Sequence, residues 1–414
     1  MKIGEVSRRY GISIDTLNYY IQYGLLVPPR NGGQRDFDDR TISDLEQILS
    51  LKKLRFTLQE IYRIITMSRI SHFAGEEDQS DLAEMYRLKR DECLNEAQAC
   101  SEAARVLSER IASLQTASVS CRRTGVPLRM MDLLRCPVCG RPFEVRSPVL
   151  NSASMESADL LCSCGYRATI RDGIVITGSS GPRPYDKPDT NRETYRNLPP
   201  DLITLFQSAY NWMVSRLLSF GTANRIILET GVNAWCFLHN HLEYLDPKGM
   251  YILTDRFPET LLAYKKLIDA QDYPLNFLYI ADSSPQLPLQ KKSIDLAVDF
   301  FSTNEYSFYS PSFLWTDLFP VLHPDARIIG TYFSFQNGTR SMRQLLEEYP
   351  SCSPQNFSRP YFLRSMASSG FLISESEEIG TTTDSGDNIG FSFHKTGEKM
   401  QLLSYLARSS PSFR

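Results

Sequence analysis

The first seventy or so residues constrain this chain most, because their apolar spacing and turn residues fit one short helical arrangement. Ile3, Val6 and Tyr10 fall on one helical face, and Gly11 supplies the turn that follows. Ser13 suits an N-cap, and Ile14, Leu17 and Ile21 make the next apolar stripe. That leaves Thr16, Asn18, Tyr19 and Tyr20 pointing elsewhere. A second helix with free polar and aromatic side chains suits a DNA major groove. Basic residues gather through the same stretch: Arg8, Arg9, Arg30, Arg35, Arg40, Lys52, Lys53 and Arg55. The competing reading is a small helical protein-binding module, since the segment is only mildly basic.

Five stretches carry a family resemblance: Met1-Lys-Ile-Gly-Glu-Val, Thr16-Leu-Asn-Tyr-Tyr, Tyr23-Gly-Leu-Leu-Val-Pro28, Gln34-Arg-Asp-Phe37 and Leu54-Arg-Phe-Thr-Leu-Gln-Glu-Ile61. In order and spacing they resemble the MerR family of transcription regulators. The resemblance implies a winged helix-turn-helix head over residues 1–75 that binds double-stranded operator DNA as a homodimer. The dimer would distort a promoter spacer, and an effector would alter that distortion. Tyr19, Tyr20 and Arg35 are then expected on phosphates, and Thr16 and Asn18 on base edges. Two positions depart from the family: Asn18 stands where Arg is usual, and Phe37 where Tyr is usual.

The chain has 414 residues, 42% apolar and 22% charged, with a formal net charge of −3. That length suits two to four domains, and contact with a polyanion must come from a local patch. No apolar run reaches membrane-spanning length and the N-terminus lacks a signal peptide's apolar core, so a cytoplasmic protein without membrane contact is expected. In that reducing setting closely spaced cysteines suggest metal, not disulfides.

From about Asp78 to Gln115 there is no Gly or Pro, and Ala, Glu, Leu and Arg abound. This predicts one long helix, with residues 76–118 as a dimerisation segment. Cys93, Ala97, Cys100, Ala104, Leu107, Ile111 and Leu114 step by four and three, the spacing of a coiled-coil seam. The alternative is a helix lying on its own domain's core. Next come Cys136-Pro-Val-Cys139 and Cys162-Ser-Cys164, each pair beside a Gly. Two such knuckles predict a structural zinc site of four thiolates within a small β ribbon, residues 127–178. The flank Gly165-Tyr-Arg-Ala-Thr-Ile-Arg-Asp-Gly-Ile174 is similar to a small zinc domain that accompanies certain methyltransferases.

Residues 190–414 alternate strands and helices: Arg225–Gly231, Met250–Asp255, Phe277–Asp282, Ile294–Phe301 and Ala326–Tyr332. Alternation of this kind predicts a doubly wound, Rossmann-like α/β sheet with any ligand beyond the strands' C-terminal ends. The order, and above all Ala281-Asp-Ser-Ser-Pro-Gln-Leu-Pro-Leu, resembles the class I S-adenosylmethionine-dependent methyltransferases. Position by position, the resemblance puts Glu229 and Gly231 in the first cofactor loop, Asp255 at the ribose hydroxyls and Asp282 near the adenine amine. Asn233 and Trp235 replace two glycines of that loop, which leaves three readings open. The pocket binds the cofactor in an altered way, binds another ligand with Trp235 as a stacking platform, or serves as scaffold. His239, His241, His323 and His394 qualify as general bases by residue type alone, so no catalytic residue is assigned. The expected whole is multidomain: a helical DNA-binding head, a coiled-coil helix, a zinc ribbon and a methyltransferase-like module that senses an effector. The alternative is an active methyltransferase tethered to a DNA-binding head.

Overall fold

Local capping chemistry sets the first helices. In the computed structural model α1 (Ile3–Tyr10) ends at Gly11, whose φ of 66° is the left-handed cap conformation that glycine adopts without strain. Ser13 then caps α2 (Ile14–Gln22), its side chain accepting from the Thr16 N–H. The residues described are 1–31, 34–73, 75–116, 125–151, 153–180, 187–190, 197–232, 235–271, 273–387 and 389–410. A two-stranded wing, β1 (Arg30–Asn31) against β2 (Gln34–Arg35), follows, and then α3 (Asp39–Lys53) and α4 (Leu58–Ser71). Asp38 caps α3, and Thr57 with Glu60 forms a capping box at α4. Val6, Leu17, Tyr20, Leu25, Phe37, Leu45, Ile48, Ile61 and Ile64 fill the core between these helices.

A single helix, α5, runs over Glu76–Thr116. Lys89 ties its first half to the head. The Lys89 ammonium is buried and meets Glu60 at 3.0 Å and Glu92 at 2.5 Å. Beyond it, Ala97, Cys100, Ala104, Leu107 and Ile111 are exposed and Cys93 is half-buried. The seam therefore does not lie on the core of its own unit, which removes that alternative. The side chain of Leu114 lies outside the described residues.

Residues 1–118 and 119–414 form two separate compact units. The second unit is built on one sheet. Its ribbon part comprises β3 (Val126–Pro127), β4 (Glu144–Leu150), β5 (Ser154–Leu161), β6 (Arg167–Arg171) and β7 (Ile174–Thr177). After it come α6 (Pro200–Phe220), β8 (Ile226–Thr230), β9 (Met250–Asp255), α7 (Pro258–Asp269), β10 (Phe277–Ala281), β11 (Ile294–Phe300), α8 (Ser302–Tyr309) and α9 (Leu314–Leu318). The chain finishes with β12 (Leu322–Phe335), α10 (Arg340–Glu348), α11 (Arg359–Ser368), β13 (Phe371–Thr382) and β14 (Met400–Ser409).

The strand order is β13-β14-β12-β11-β8-β9-β10-β7-β6-β5-β3, with β4 also paired to β5. From β12 to β7 neighbours run parallel, and the pairs at either end are antiparallel. Side chains alternate between two cores: Tyr251, Leu253, Tyr279 and Ala281 on one face, Ile252, Leu278 and Ile280 on the other. Burial on both faces explains why these strands read as continuous apolar runs. The ribbon and the α/β half share this sheet, because β7 pairs in parallel with β10, Ile174 opposite Tyr279. From β8 the chain builds outward through β9 and β10, then returns to the other side of β8 with β11. A doubly wound sheet opens its ligand crevice at that reversal.

Candidate functional site

In the N-terminal unit the wing meets the second helix. Arg30 and Arg35 are directly opposed across the wing, so two cations share one face. Like charges in that position repel unless an anion neutralises them. The Arg35 guanidinium donates to the Asn18 side-chain oxygen at 2.7 Å, joining the wing to an exposed polar position of α2. Tyr19 is exposed beside Asn18, and its ring lies 5.9 Å from Tyr23, which meets Tyr62 edge-on at 5.9 Å.

In the C-terminal unit the four ribbon cysteines converge. The sulfurs of Cys136, Cys139, Cys162 and Cys164 all lie within 4.8 Å of one another, with Cys136 to Cys164 at 3.5 Å and Cys139 to Cys162 at 3.3 Å. Tetrahedral coordination at a Zn–S distance of about 2.3 Å would separate the sulfurs by about 3.8 Å, so the cluster can hold a metal ion with little adjustment. The Cys164 backbone N–H lowers the Cys162 thiol to about 6, while burial pushes the Cys136 thiol up to about 12, so the four thiols do not ionise alike.

A cavity of about 70 Å³ lies at the sheet's reversal, lined by the C-terminal ends of β8 and β9 and the residues just after β10 and β11. Gly231, Asp255 and Asp282 line it. Asp255 accepts from the Phe257 N–H at 2.9 Å. One oxygen of Asp282 accepts from the Ser179 hydroxyl at 2.5 Å and the Ser284 N–H at 2.7 Å. Its other oxygen is buried without a partner, as is the Thr230 hydroxyl on the same wall. Buried polar atoms left unmatched cost about 1–3 kcal/mol each, so both await a ligand's donors or a solvent molecule. Across the mouth the Arg256 guanidinium meets the Glu305 carboxylate at 2.6 Å and stacks on Tyr309 at 4.0 Å.

Comparison with known proteins places the head. The family described as MerR HTH family regulatory protein matches residues 1–68. Residues 1–68 are a MerR-type helix-turn-helix head. The chain is 30% identical over 79 residues to the HTH-type transcriptional regulator ZntR homolog of Haemophilus influenzae, a match covering 19% of this chain and 58% of that protein. It is 35% identical over 72 residues to the HTH-type transcriptional regulator YfmP of Bacillus subtilis, covering 17% and 51%. The chain thus spans about half the length of the curated relatives it matches. A solved S-adenosylmethionine-dependent methyltransferase from Aquifex aeolicus superposes on 48% of this chain and 89% of its own, at 14% identity and a TM-score of 0.33. The doubly wound reading of the C-terminal unit rests on its strand order.

In the MerR-type head Tyr20 is 6% exposed, and its ring packs in the core with Leu17. The buried stripe runs through Leu17 and Tyr20, three residues apart, and leaves Ile14 46% exposed. The Thr16 hydroxyl is engaged with Ser13 at 2.8 Å, within the cap. Asn18, Tyr19 and Arg35 share the surface where α2 meets the wing.

The C-terminal unit carries further departures. Trp235 packs edge-on against Phe206 at 4.9 Å and lies outside the cavity lining. Glu229 is buried, accepts from the Phe237 and Leu238 N–H groups at 2.6 and 2.9 Å, and shapes the loop instead of facing the cavity. Asn233 lies outside the described residues. None of the four histidines lines the cavity. His241 is buried and engaged by the Phe237 carbonyl at 2.7 Å, and burial lowers its affinity for a proton. His394 lies between the Ser385 hydroxyl and the Glu398 carbonyl. Sequence reasoning passed over Thr230, Arg256 and Glu305, whose only signal is that each sits at a strand end or in the first helical turn beyond one.

Proposed function

We propose that this chain is a transcription regulator that binds operator DNA as a homodimer in the cytoplasm, with its C-terminal unit as the ligand-responsive module. The observation that carries the reading is the juxtaposition of Arg30, Arg35 and Asn18 on a MerR-type head. Arg35 and Tyr19 contact phosphates, and Asn18, released from Arg35, reads a base edge with Thr16 at its flank. Residues 76–118 join two copies through the exposed seam, which brings two heads to two half-sites. The cysteine cluster holds a structural zinc ion, since four thiolates leave no coordination position open.

The polar groups lining the cavity suit a nucleoside cofactor of the S-adenosylmethionine type, for which the cavity of about 70 Å³ would have to widen. Asp255 would accept from ribose hydroxyls, and the unpartnered oxygen of Asp282 from an exocyclic amine. When bound, such a cofactor supplies a transferable methyl group; here its occupancy serves as the signal. For that signal to reach DNA, the ligand must bind one dimer conformation better than the other.

Salt-dependent DNA binding by the full chain and by Arg35→Ala tests the head. The variant should weaken binding to every duplex and flatten the plot of log affinity against log salt by about one. An unchanged slope removes Arg35 from the phosphate contacts.

A further inference from the structure

Apart from the cavity, α9 and α11 wall a groove of about 470 Å³, within the ~300–1,000 Å³ typical of small-molecule sites. Ser312, Phe313 and Thr316 stand on one side. Tyr361, Arg364, Ser365 and Ser368 stand on the other, and their steps of three and four put them on one face of α11. Fixed contacts hold both walls. Asn356, 2% exposed, donates to the Ser310 and Ser312 carbonyls at 3.2 and 3.5 Å. The Thr316 and Ser369 hydroxyls meet at 2.6 Å and tie α9 to the end of α11. Phe313, edge-on to Phe362 at 6.0 Å, supplies an apolar surface.

The α11 wall keeps its donors free. Arg364 is exposed, and among the described residues its guanidinium has neither an ion-pair nor a hydrogen-bond partner. The side-chain hydroxyls of Tyr361, Ser365 and Ser368 likewise make no hydrogen bond there. Helical serines often return the hydroxyl to the preceding turn, as Ser208 does to the Thr204 carbonyl at 2.9 Å and Ser307 to that of Thr303 at 2.6 Å. Ser365 and Ser368 do not. No carboxylate lines the groove, and Asp317 beside Thr316 already accepts from the Tyr306 and Ser312 hydroxyls at 2.8 and 2.7 Å. A neutral or cationic ligand would leave Arg364 unmatched. An oxyanion with three terminal oxygens takes the guanidinium fork on two of them and serine hydroxyls on the third. We propose that this groove is a second ligand site of the C-terminal unit, for a small molecule that carries a phosphate monoester. Arg364, Ser365 and Ser368 lie within about one turn and share the phosphate. Tyr361 and Phe313 take the organic part, for which the rest of the groove has room. The groove and the cavity have no lining residue in common, so this site stands or falls apart from the nucleoside reading. They do share α9, whose Leu314 and Leu318 line the cavity while Thr316 lines the groove.

Saturation-transfer NMR on the full chain tests it, with glycerol 3-phosphate as the probe, glycerol as the uncharged control and inorganic phosphate as the competitor. Glycerol 3-phosphate should give a saturable signal that inorganic phosphate removes, and glycerol should give none. Arg364→Met keeps a long stem without the charge and should weaken binding by about tenfold or more, the worth of one hydrogen bond to a charged group. The wing arginines also attract phosphate, so the signal should survive when Arg30→Ala and Arg35→Ala are combined. Melting temperatures confirm that each variant is folded. Should Arg364→Met not fold, Ser365→Ala combined with Ser368→Ala probes the same face and should weaken binding by about tenfold. No saturable signal, or equal binding of glycerol, overturns the site. So does undiminished affinity in either folded groove variant, or loss of the signal in the wing variant.

Discussion

If residues 76–118 join two copies as proposed, replacing Leu107 and Ile111 with alanine should separate that dimer while leaving each protomer folded. In the single chain these side chains are 59% and 54% exposed on α5. Fully burying a Leu or Ile side chain gains about 1.5–3 kcal/mol, so covering the exposed half gains about 1 kcal/mol each. Two positions in two protomers make four such side chains, hence about 4 kcal/mol, or roughly a thousandfold in the dimer dissociation constant. The protomer loses little, because alanine is the strongest helix former and neither side chain belongs to the head's core. Sedimentation velocity of the full chain across a range of concentrations measures the effect, with circular dichroism reporting helix content. A variant that stays dimeric at every concentration where the unaltered chain is dimeric refutes the seam. A loss of helix content alongside dissociation would show that α5 depends on the partner for folding, contrary to the reasoning.

Other expectations follow from the same contacts. Tyr20→Ala should destabilise the head by about 3 kcal/mol, as large-to-small changes in a core do, whereas Tyr19→Ala should leave thermal unfolding unchanged and weaken DNA binding. Elemental analysis should find one zinc ion per chain, and Cys162→Ser should lose it and lower the melting temperature of the C-terminal unit, because the ribbon's β7 is part of the larger sheet. Burial raises the Glu229 carboxyl from its ordinary 4.5 to about 7. Its contribution to stability is therefore full below 4.5 and is lost as pH rises through 7. The difference amounts to roughly 3 kcal/mol. Glu229→Gln should flatten the stability curve between pH 5 and 7.5 relative to the unaltered chain; parallel curves would show that burial does not govern this group.

What could be read in the sequence was local. Gly11 and Ser13 set the first turn by conformational preference and capping, and both act within a few residues. The cysteine knuckles likewise carry their own geometry. The burial of the Tyr20 ring was not legible because a helix buries a stripe wide enough to take positions 17, 20 and 21, and a tyrosine's hydroxyl hides how apolar its ring is. Trp235 stayed open as a stacking platform because the loop was read alone, whereas Phe206, on α6 just before β8, packs against its ring. The pairing of Ile174 with Tyr279, which merges ribbon and α/β half into one sheet, and the Arg256–Glu305 bridge join residues far apart in the chain. No spacing rule announces such contacts.

The central claim is that two MerR-type heads read DNA together. Selection of the full chain against a library of random duplexes tests it directly. The account predicts enrichment of an inverted repeat, two half-sites related by a two-fold axis, lost when Leu107 and Ile111 are both alanine. Enrichment of one asymmetric site, or of none, would contradict it.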